Sequence, residues 1–307
     1  MTVNGWLVAD KPQGLSSTQV VGKVRRHLKL LKVGHIGTLD PLATGVLVIA
    51  IGEATKLIPY LPTGPKIYEF VVRWGEARDT DDEEGEIINQ SASWPSLVSI
   101  KDALCHFIGN LEQIPPLYSA IKNNGQPAYK LARQGKVPPL TPRSITIQDL
   151  RIVESLDNKT TRFQVHCGSG TYVRALARDL ATYLGTYGYV KELRRLQDGL
   201  FSIQDTICVE KILEVRHKSD DYPLIKPVEA VLDDIPAVLL SAVDAQKIRQ
   251  GLAIDPTSYG FKIQTVGPIA LFYESRILAM AELQEGKLQP RRVFNLTLPT
   301  KGMTDVD

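Results

Sequence analysis

The stretch Gly34-His35-Ile36-Gly37-Thr38-Leu39-Asp40-Pro41-Leu42-Ala43-Thr44-Gly45 places one aspartate in a glycine-rich setting. It separates residues 17–31, whose apolar positions recur at helical spacing, from the apolar run 46–51, which has the length of a buried strand. Because glycine disfavours a helix, we predict a loop over 34–45. Asp40 is either a nucleophile kept ionised by a nearby cation or a turn residue that caps local amides, and the local pattern alone favours the turn residue.

Residues 17–31 predict an amphipathic helix that follows a short strand at 6–9. Ser16 or Ser17 provides the N-cap, and the outer faces of the helix are basic. The positions expected to face inward are Val20, Val21, Val24, Leu28 and Leu31.

Two further strands and a helix are predicted downstream. Residues 67–74 are rich in β-branched and aromatic side chains, and alternation places Tyr68, Phe70, Val72 and Trp74 on one face. Residues 162–167 form the second strand. The turn at 168–170 then leads into a helix whose inward positions are Val173, Leu176, Ala177, Leu180 and Leu184.

The composition is that of an ordinary globular protein. Of 307 residues, 43% are apolar and 23% charged, and a net charge of +2 does not by itself indicate a nucleic-acid partner. Three separated cysteines without a CxxC pair disfavour a disulfide framework. No signal peptide and no run long enough to span a bilayer are visible, so we expect a cytoplasmic protein without a membrane partner.

The familiar cofactor motifs are missing from the sequence. There is no GxGxxG or GxxxxGK[ST] pattern, and the five histidines form neither HExxH nor a close pair. The acidic run 79–85 has its glycine at the seventh position rather than the sixth, which disfavours a calcium loop. We therefore expect neither a metal nor a nucleotide cofactor.

The organisation of the chain indicates a large domain followed by a small one. Residues 115–142 are rich in Pro, Gly, Lys and Arg and predict a long excursion from the core, with a helical patch at 128–134. After about residue 235 the pattern changes to short β-like runs split by Gly and Pro. We place the domain boundary between 234 and 235, with a short polar tail at the end of the second domain.

Several motifs in this order resemble the bacterial tRNA pseudouridine-55 synthases. The segment around Asp40 resembles the catalytic motif of that family, and the likeness extends over about residues 5 to 205. The other matching stretches are Asp10-Lys11-Pro12-x-Gly14-x-Ser16-Ser17, Lys66-Ile67-Tyr68, Tyr118 to Lys122 with Ala128-Tyr129 and Leu131 to Arg133, Gly168 to Arg174, and Leu193 to Leu196.

The resemblance implies an α+β fold: a mixed, largely antiparallel sheet with flanking helices, plus a small C-terminal PUA-like β-barrel. Residues 1–234 would be the catalytic domain, with an RNA-binding insertion at about 115–145, and 235–307 the PUA-like domain. The implied activity is isomerisation of uridine to pseudouridine at position 55 in the T-loop of tRNA, by base flipping and without a cofactor.

The resemblance also assigns roles to single residues. Asp40 aligns with the nucleophile, and Arg174 with the arginine that pairs with it and keeps it charged. Tyr68 aligns with the tyrosine that stacks on the target base, and His35 with the histidine that helps to hold the nucleotide out of the stack. Tyr172 and Leu193 align with residues that line the uracil pocket. The Asp79-Thr80-x-Asp82 stretch resembles an element that supports the site.

Contacts with RNA are expected from basic residues around these motifs. The basic groups lie at 23–32, 122–143, 174–178 and 191–195. Our candidates for contacts with the tRNA backbone, in its T-arm, are Lys11, Lys122, Arg133 and Arg143. We expect a monomer without an obligatory protein partner. Two alternatives stay open: a guide-RNA-dependent relative that works inside a ribonucleoprotein, and a non-catalytic RNA-binding or RNA-chaperone module.

Overall fold

A computed structural model describes residues 3–61, 64–119, 121–123, 125–136, 139–214, 224–260 and 267–296. The predicted polar tail lies outside these ranges. Within them the helices are α1 Ser17–His27, α2 Leu97–Ala103, α3 Ala128–Ala132, α4 Val173–Tyr183, α5 Val209–Glu214 and α6 Ala242–Arg249. None of these helices has the length and apolar character needed to cross a membrane.

The strands fall into a long series before residue 230 and a short one after it. The first strands are β1 Gly5–Lys11, β2 Val33–Ile36, β3 Thr44–Ile51, β4 Lys66–Trp74, β5 Glu76–Arg78, β6 Ile87–Gln90, β7 Gly109–Gln113, β8 Lys122–Asn123, β9 Gln126–Pro127 and β10 Arg143–Asp157. The others are β11 Thr160–Cys167, β12 Gly188–Asp198, β13 Phe201–Ser202, β14 Ile207–Cys208, β15 Ile225–Lys226, β16 Ala237–Leu239, β17 Ile269–Tyr273, β18 Arg276–Gln284 and β19 Lys287–Val293.

Among the described residues, eleven strands form one mixed sheet. Its main order is β14-β1-β3-β12-β4-β11-β10-β7, and β2, β13 and β15 pair at its sides. Most neighbours are antiparallel, whereas β12 pairs with β3 in parallel at Arg194↔Thr44 and Arg195↔Gly45. This sheet, with helices packed against it, confirms the predicted α+β class. The pairing of β12 with β3 brings the end of the segment around Asp40, here called the Asp40 loop, beside β12.

Helix α1 begins as the sequence predicts and ends earlier. The Ser16 hydroxyl accepts a hydrogen bond from the backbone N–H of Gln19, and the Gln19 side chain accepts one from the N–H of Ser16, which is a capping box. The helix ends at His27, and Leu28 is its buried C-cap. The prediction that Leu31 faces inward is wrong: it lies beyond the helix and is 82% exposed.

The predicted loop over 34–45 is partly a strand. Residues Val33–Ile36 form β2, which pairs antiparallel with β3 from Val33↔Ile51 to Ile36↔Val48. The prediction failed here because the tertiary pairing with a buried apolar strand outweighs the low strand propensity of Gly34. Only residues 37–43 of the motif lie between strands, so the Asp40 loop is shorter than expected.

The core beneath the site is built by β4, β11 and α4. The predicted face of β4 is buried, and Phe70 stacks on Phe163 of β11 with ring centroids 5.3 Å apart. Leu176, Ala177 and Leu180 of α4 pack on the same cluster and are fully buried. Because α4 lies on the sheet by this apolar face, its first turn is fixed next to β4 and the Asp40 loop.

The C-terminal strands form a separate sheet in the order β16-β17-β18-β19. Its cluster of Ala270, Ile277, Met280 and Phe294 is continuous with Trp6 and Val8 of β1, and the indole N–H of Trp6 donates to the Val228 carbonyl at 3.0 Å. The boundary at 234/235 and the PUA-like character of this sheet stay predictions.

Candidate active site

A cavity of about 440 Å³ opens where the Asp40 loop, β4, β12 and the start of α4 meet. Five of the residues that the sequence singled out line it: Asp40, Tyr68, Tyr172, Arg174 and Leu193. These residues come from four separate parts of the chain, and the sheet topology brings them together.

The backbone around Asp40 is held by hydrogen bonds from two other segments. The Ser17 hydroxyl, at the start of α1, accepts from the N–H of Leu39 at 2.8 Å and donates to the Leu39 carbonyl at 3.1 Å. The N–H of Gly14 donates to the Pro41 carbonyl at 2.9 Å. These contacts leave the Asp40 side chain free to face the cavity, with 38% of it exposed.

Arg174 supplies the charge partner of Asp40. Its Nε donates to Asp40 Oδ2 at 2.9 Å, and only 4% of its side chain is exposed. The other donors are used as well: Nη1 binds the Thr80 carbonyl at 2.7 Å and Nη2 the Tyr118 carbonyl at 3.0 Å. The guanidinium is therefore fixed on all sides, and it presents one edge to the carboxylate.

The acidic stretch 79–82 surrounds this guanidinium. Asp82 Oδ2 lies 3.5 Å from Arg174 Nε, and the Thr80 hydroxyl donates to Asp82 Oδ1 at 2.5 Å. Burial raises the pKa of Asp82 from its usual value, which the Thr80 hydrogen bond and Arg174 oppose. The stretch thus holds Arg174 rather than facing the cavity.

Two tyrosines contribute to the wall of the cavity. Burial raises the pKa of Tyr68 to about 12, although Arg195 lowers it in part, so its hydroxyl keeps its proton near neutral pH. Burial also raises the pKa of Tyr172, and the nearby Asp40 charge adds to that effect. Tyr172 is the residue that precedes α4, and Leu193 completes the apolar part of the wall.

His35 lies beside the cavity rather than in it. It is a residue of β2, and the next residues along the chain, Ile36 and Gly37, do line the cavity. Its Nε2 lies 3.3 Å from the Thr38 hydroxyl. Burial lowers the pKa of His35, and Arg195 lowers it further, so the ring is neutral near pH 7.

The interpretation of Lys11 as a contact for the RNA backbone is wrong. Its side chain is fully buried, and its ammonium group donates to the carbonyls of Pro12, Leu15 and Pro41, the last at 3.2 Å. Burial lowers its pKa to about 8, against the opposing effect of Asp40. Lys11 therefore holds the loop next to Asp40, and the sequence alone could not distinguish this from a surface lysine.

The other three candidates for RNA contacts lie away from the cavity lining. Arg133 and Arg143 are exposed, and Arg133 lies over the Tyr129 ring with 5.7 Å between guanidinium and centroid. The backbone of Lys122 lies in β8, and its side chain is outside the described part of the structure.

Two of the basic clusters predicted to face RNA are engaged within the protein. Arg174 and Arg195 are buried, and Arg178 and Arg194 form ion pairs with Asp81 and Asp10 at 2.9 and 2.8 Å. Alternation along β12 explains the burial of Arg195, since it lies on the same face as the buried Leu193, whereas the exposed Glu192 lies on the opposite face. The basic residues of α1 and Arg133 and Arg143 of the insertion stay exposed.

Sequence reasoning missed three residues of the site. Gln113 binds both backbone groups of Tyr172, while Arg195 and Asp198 line the cavity as a buried ion pair with 3.1 Å between Nη1 and Oδ2. Asp198 ends a strand of mixed polarity, so the sequence did not distinguish it from a surface carboxylate. No sequence signal pointed to Gln113.

The fold and the Asp40–Arg174 pair are those of a protein whose family model and relatives define an isomerase of the pseudouridine synthase class. Residues 25–173 match the model of the TruB family pseudouridylate synthase N-terminal domain, and residues 174–233 match the model of the tRNA pseudouridylate synthase B C-terminal domain. The chain belongs to the TruB family.

Two relatives are similar over most of the chain, and one solved structure shares the fold. The tRNA pseudouridine synthase B of Rhodopseudomonas palustris is 45% identical over 300 residues, which cover 96% of this chain and 82% of that protein. That of Bradyrhizobium diazoefficiens is 45% identical over 306 residues, covering 96% and 87%. A chain in the crystal structure of a Cbf5–Nop10–Gar1 complex shares the fold, with a TM-score of 0.71, 22% identity and coverage of 94% and 84%.

Proposed function

We propose that this protein isomerises uridine to pseudouridine at position 55 in the T-loop of tRNA, with Asp40 as the nucleophile. The main support for the proposal is the Asp40–Arg174 pair. The side chain of Asp40 is 38% exposed and faces the cavity, whereas that of Arg174 is 4% exposed. A substrate can thus reach the carboxylate while the countercharge stays in place. The relatives named tRNA pseudouridine synthase B support tRNA as the substrate, and the motif resemblance supports position 55.

The chemistry is an isomerisation. The bond between N1 of uracil and C1′ of the sugar breaks, the uracil rotates, and C5 is joined to C1′. C5 loses a proton and N1 gains one, so the composition is unchanged and no redox cofactor is required. The carboxylate of Asp40 can attack C1′, add to C6, or assist elimination to a glycal, and all three routes use the same ion-paired group.

The target base must leave the stack to reach Asp40. A cavity of about 440 Å³ can hold one nucleobase, with Tyr68, Tyr172 and Leu193 as its wall. His35 lies at the rim, one residue before the cavity lining, which suits a side chain that enters the RNA loop. Arg133 and Arg143 are exposed on and beside the insertion and suit contacts with the T-arm backbone.

The decisive experiment maps pseudouridine in unmodified tRNA treated with wild-type protein or with Asp40→Asn. We expect conversion at position 55 with the wild type, and folding and tRNA binding without conversion for the variant. Asp102→Asn, which changes an exposed carboxylate on α2, is the matched control and should convert normally. Conversion by Asp40→Asn would exclude Asp40 as nucleophile, and conversion at another uridine would exclude position 55.

The same assay separates the alternatives. We propose a monomer that needs no protein partner, so purified protein and tRNA alone should suffice. Activity that appears only with added guide RNA and proteins would favour the guide-dependent alternative. A tRNA-refolding assay with Asp40→Asn tests the RNA-chaperone role, because that variant would retain refolding without conversion.

A further inference from the structure

Two glycines that flank the Asp40 loop, Gly37 at its start and Gly45 in β3 just after it, are packed against one residue, Arg195. Gly37 has a φ of +59°, and a Cβ added there would lie 2.6 Å from Asp198 Oδ2 and 2.7 Å from Arg195 Nη1. Gly45 has a φ of +96°, and its Cβ would lie 2.2 Å from the Arg195 carbonyl oxygen. The start of the loop therefore touches the side chain of Arg195, and the strand after the loop touches the Arg195 backbone.

The guanidinium of Arg195 connects this loop to the strands beneath it. Its Nη2 donates to the Gly37 carbonyl at 2.8 Å, and its Nε donates to the Val46 carbonyl at 2.8 Å. Arg195 is also the cross-strand neighbour of Tyr68 and lowers the pKa of that tyrosine. One buried cation thus contacts both the loop that carries Asp40 and the ring on the opposite wall.

Asp198 neutralises this cation and is itself shared. Its Oδ2 lies 3.1 Å from Arg195 Nη1, and its Oδ1 pairs with the ammonium group of Lys66, the cross-strand neighbour of Asp198 on β4. The side chains of Asp198 and Arg195 are 5% and 1% exposed. Because a buried guanidinium without its carboxylate is strongly disfavoured, Asp198 keeps Arg195 in place.

We propose that Arg195 and Asp198 are positioning residues. Arg195 binds the carbonyls of Gly37 and Val46 and so fixes the Asp40 loop relative to Tyr68, and Asp198 holds Arg195 in place. The inference rests on the proposed function, because it assigns these residues to the reaction at Asp40. Neither residue is required to touch the substrate. Their effect is on the geometry between the nucleophile and the ring, where a displacement of about 1 Å can cost about 100-fold in rate.

The test uses two variants that disturb the contact between Arg195 and Gly37 from opposite sides. Asp198→Asn removes the charge that holds Arg195, and Gly37→Ala pushes a methyl group against Arg195 and Asp198 from the loop. We expect each to lower kcat by about 100-fold with little change in KM or tRNA affinity. The double variant should lose less than the product of the two single losses, because both act on one contact.

Two controls match these changes. Gly199→Ala places the same methyl group at the same φ of +59°, with no atom within 4 Å of the new Cβ. Asp205→Asn breaks a carboxylate–ammonium pair with Lys226 outside the cavity lining. Both controls should retain the wild-type kcat.

The outcomes are distinct. A merely structural role would lower the melting temperature and the folded fraction but leave kcat per folded molecule unchanged, and that result would overturn the proposal. If Asp198→Asn does not fold, kcat per folded molecule of Gly37→Ala tests the proposal by itself. Failure of the proposed function appears separately, as a wild-type protein that forms no pseudouridine in the same assay.

Discussion

Gln113 and Tyr172 are joined by two hydrogen bonds: the backbone N–H of Tyr172 donates to Gln113 Oε1 at 2.9 Å, and Gln113 Nε2 donates to the Tyr172 carbonyl at 3.1 Å. The buried glutamine side chain therefore pairs with both the N–H and the C=O of one residue, as a residue of an antiparallel strand would. Gln113 ends β7 at the root of the insertion, and Tyr172 precedes α4 and lines the cavity. The insertion and the wall of the cavity are thus directly linked.

Gln113→Met keeps the length of the side chain and removes both hydrogen bonds. We expect the free energy of unfolding to fall by about 1–3 kcal/mol, because the backbone N–H of Tyr172 loses its acceptor, whereas the Tyr172 carbonyl keeps the Leu176 N–H as donor. The turnover should fall with it, since the ring is no longer fixed. Chemical denaturation and single-turnover assays measure the two effects. Gln164→Met, which removes an amide from an exposed contact with Arg151, is the control, and equal losses in both variants would contradict the prediction.

Arg178 offers a test of insertion anchoring. It lies one turn after Arg174 and binds Asp81 Oδ2 at 2.9 Å and the Ile114 carbonyl at 2.7 Å, so its donors are used inside the protein. Arg178→Gln should lower turnover while the dependence of tRNA affinity on salt keeps its slope. Exposed Arg133 is the contrast: Arg133→Gln should reduce that slope by about 1, as expected for one lost phosphate contact. A reduced slope for Arg178→Gln would make it a phosphate ligand instead.

For the buried ammonium group of Lys11 we expect opposite effects of pH on kcat and on the free energy of unfolding. Its pKa in the folded protein, about 8, lies below its ordinary value of 10.5 because of burial. Between these values the unfolded chain binds more protons, so this group makes the free energy of unfolding rise with pH. The neutral amine has only two N–H groups for three carbonyls, so the Asp40 loop loosens and kcat should fall as pH rises through about 8.

The measurement is a kcat profile from about pH 6.5 to 9, with unfolding followed over the same range. Lys11→Met has no ammonium group to titrate, so whatever its activity, its profile should lack the fall near pH 8. The assignment to Lys11 is wrong if the fall persists in that variant.

Leu28 and Leu31 allow a direct comparison of a buried and an exposed leucine near the end of α1. Leu28 is 6% exposed and Leu31 82%. Leu28→Ala should lower the free energy of unfolding by about 2–5 kcal/mol, because it leaves a cavity in the core. Leu31→Ala should change it by no more than about 0.5 kcal/mol. Urea denaturation of the two variants checks the prediction, and similar losses would mean that Leu31 is packed after all.

The parts of the fold that could be predicted are those governed by local periodicity. The buried face of β4 and the inward face of α4 follow from spacing alone, because each element packs one continuous apolar face on the core. The strand β2 could not be predicted, since it depends on pairing with β3, and the end of α1 could not, since no glycine or proline marks Lys29, which takes a φ of +49° there. Likewise the motif resemblance led to Asp40 and Arg174, whereas the burial of Lys11 and Arg195 depends on which carbonyls surround them in three dimensions.

The contacts of the Asp40 loop also determine when the site can form during folding. Arg174 is 134 residues from Asp40 along the chain, and Arg195 is 158 residues from Gly37. Contacts of such sequence separation close large loops and form slowly. A nascent chain that ends before β12 contains the whole glycine-rich motif but not Arg195, which binds the Gly37 carbonyl. We therefore expect the site to be complete only after β12, and with it most of the large sheet, has been made.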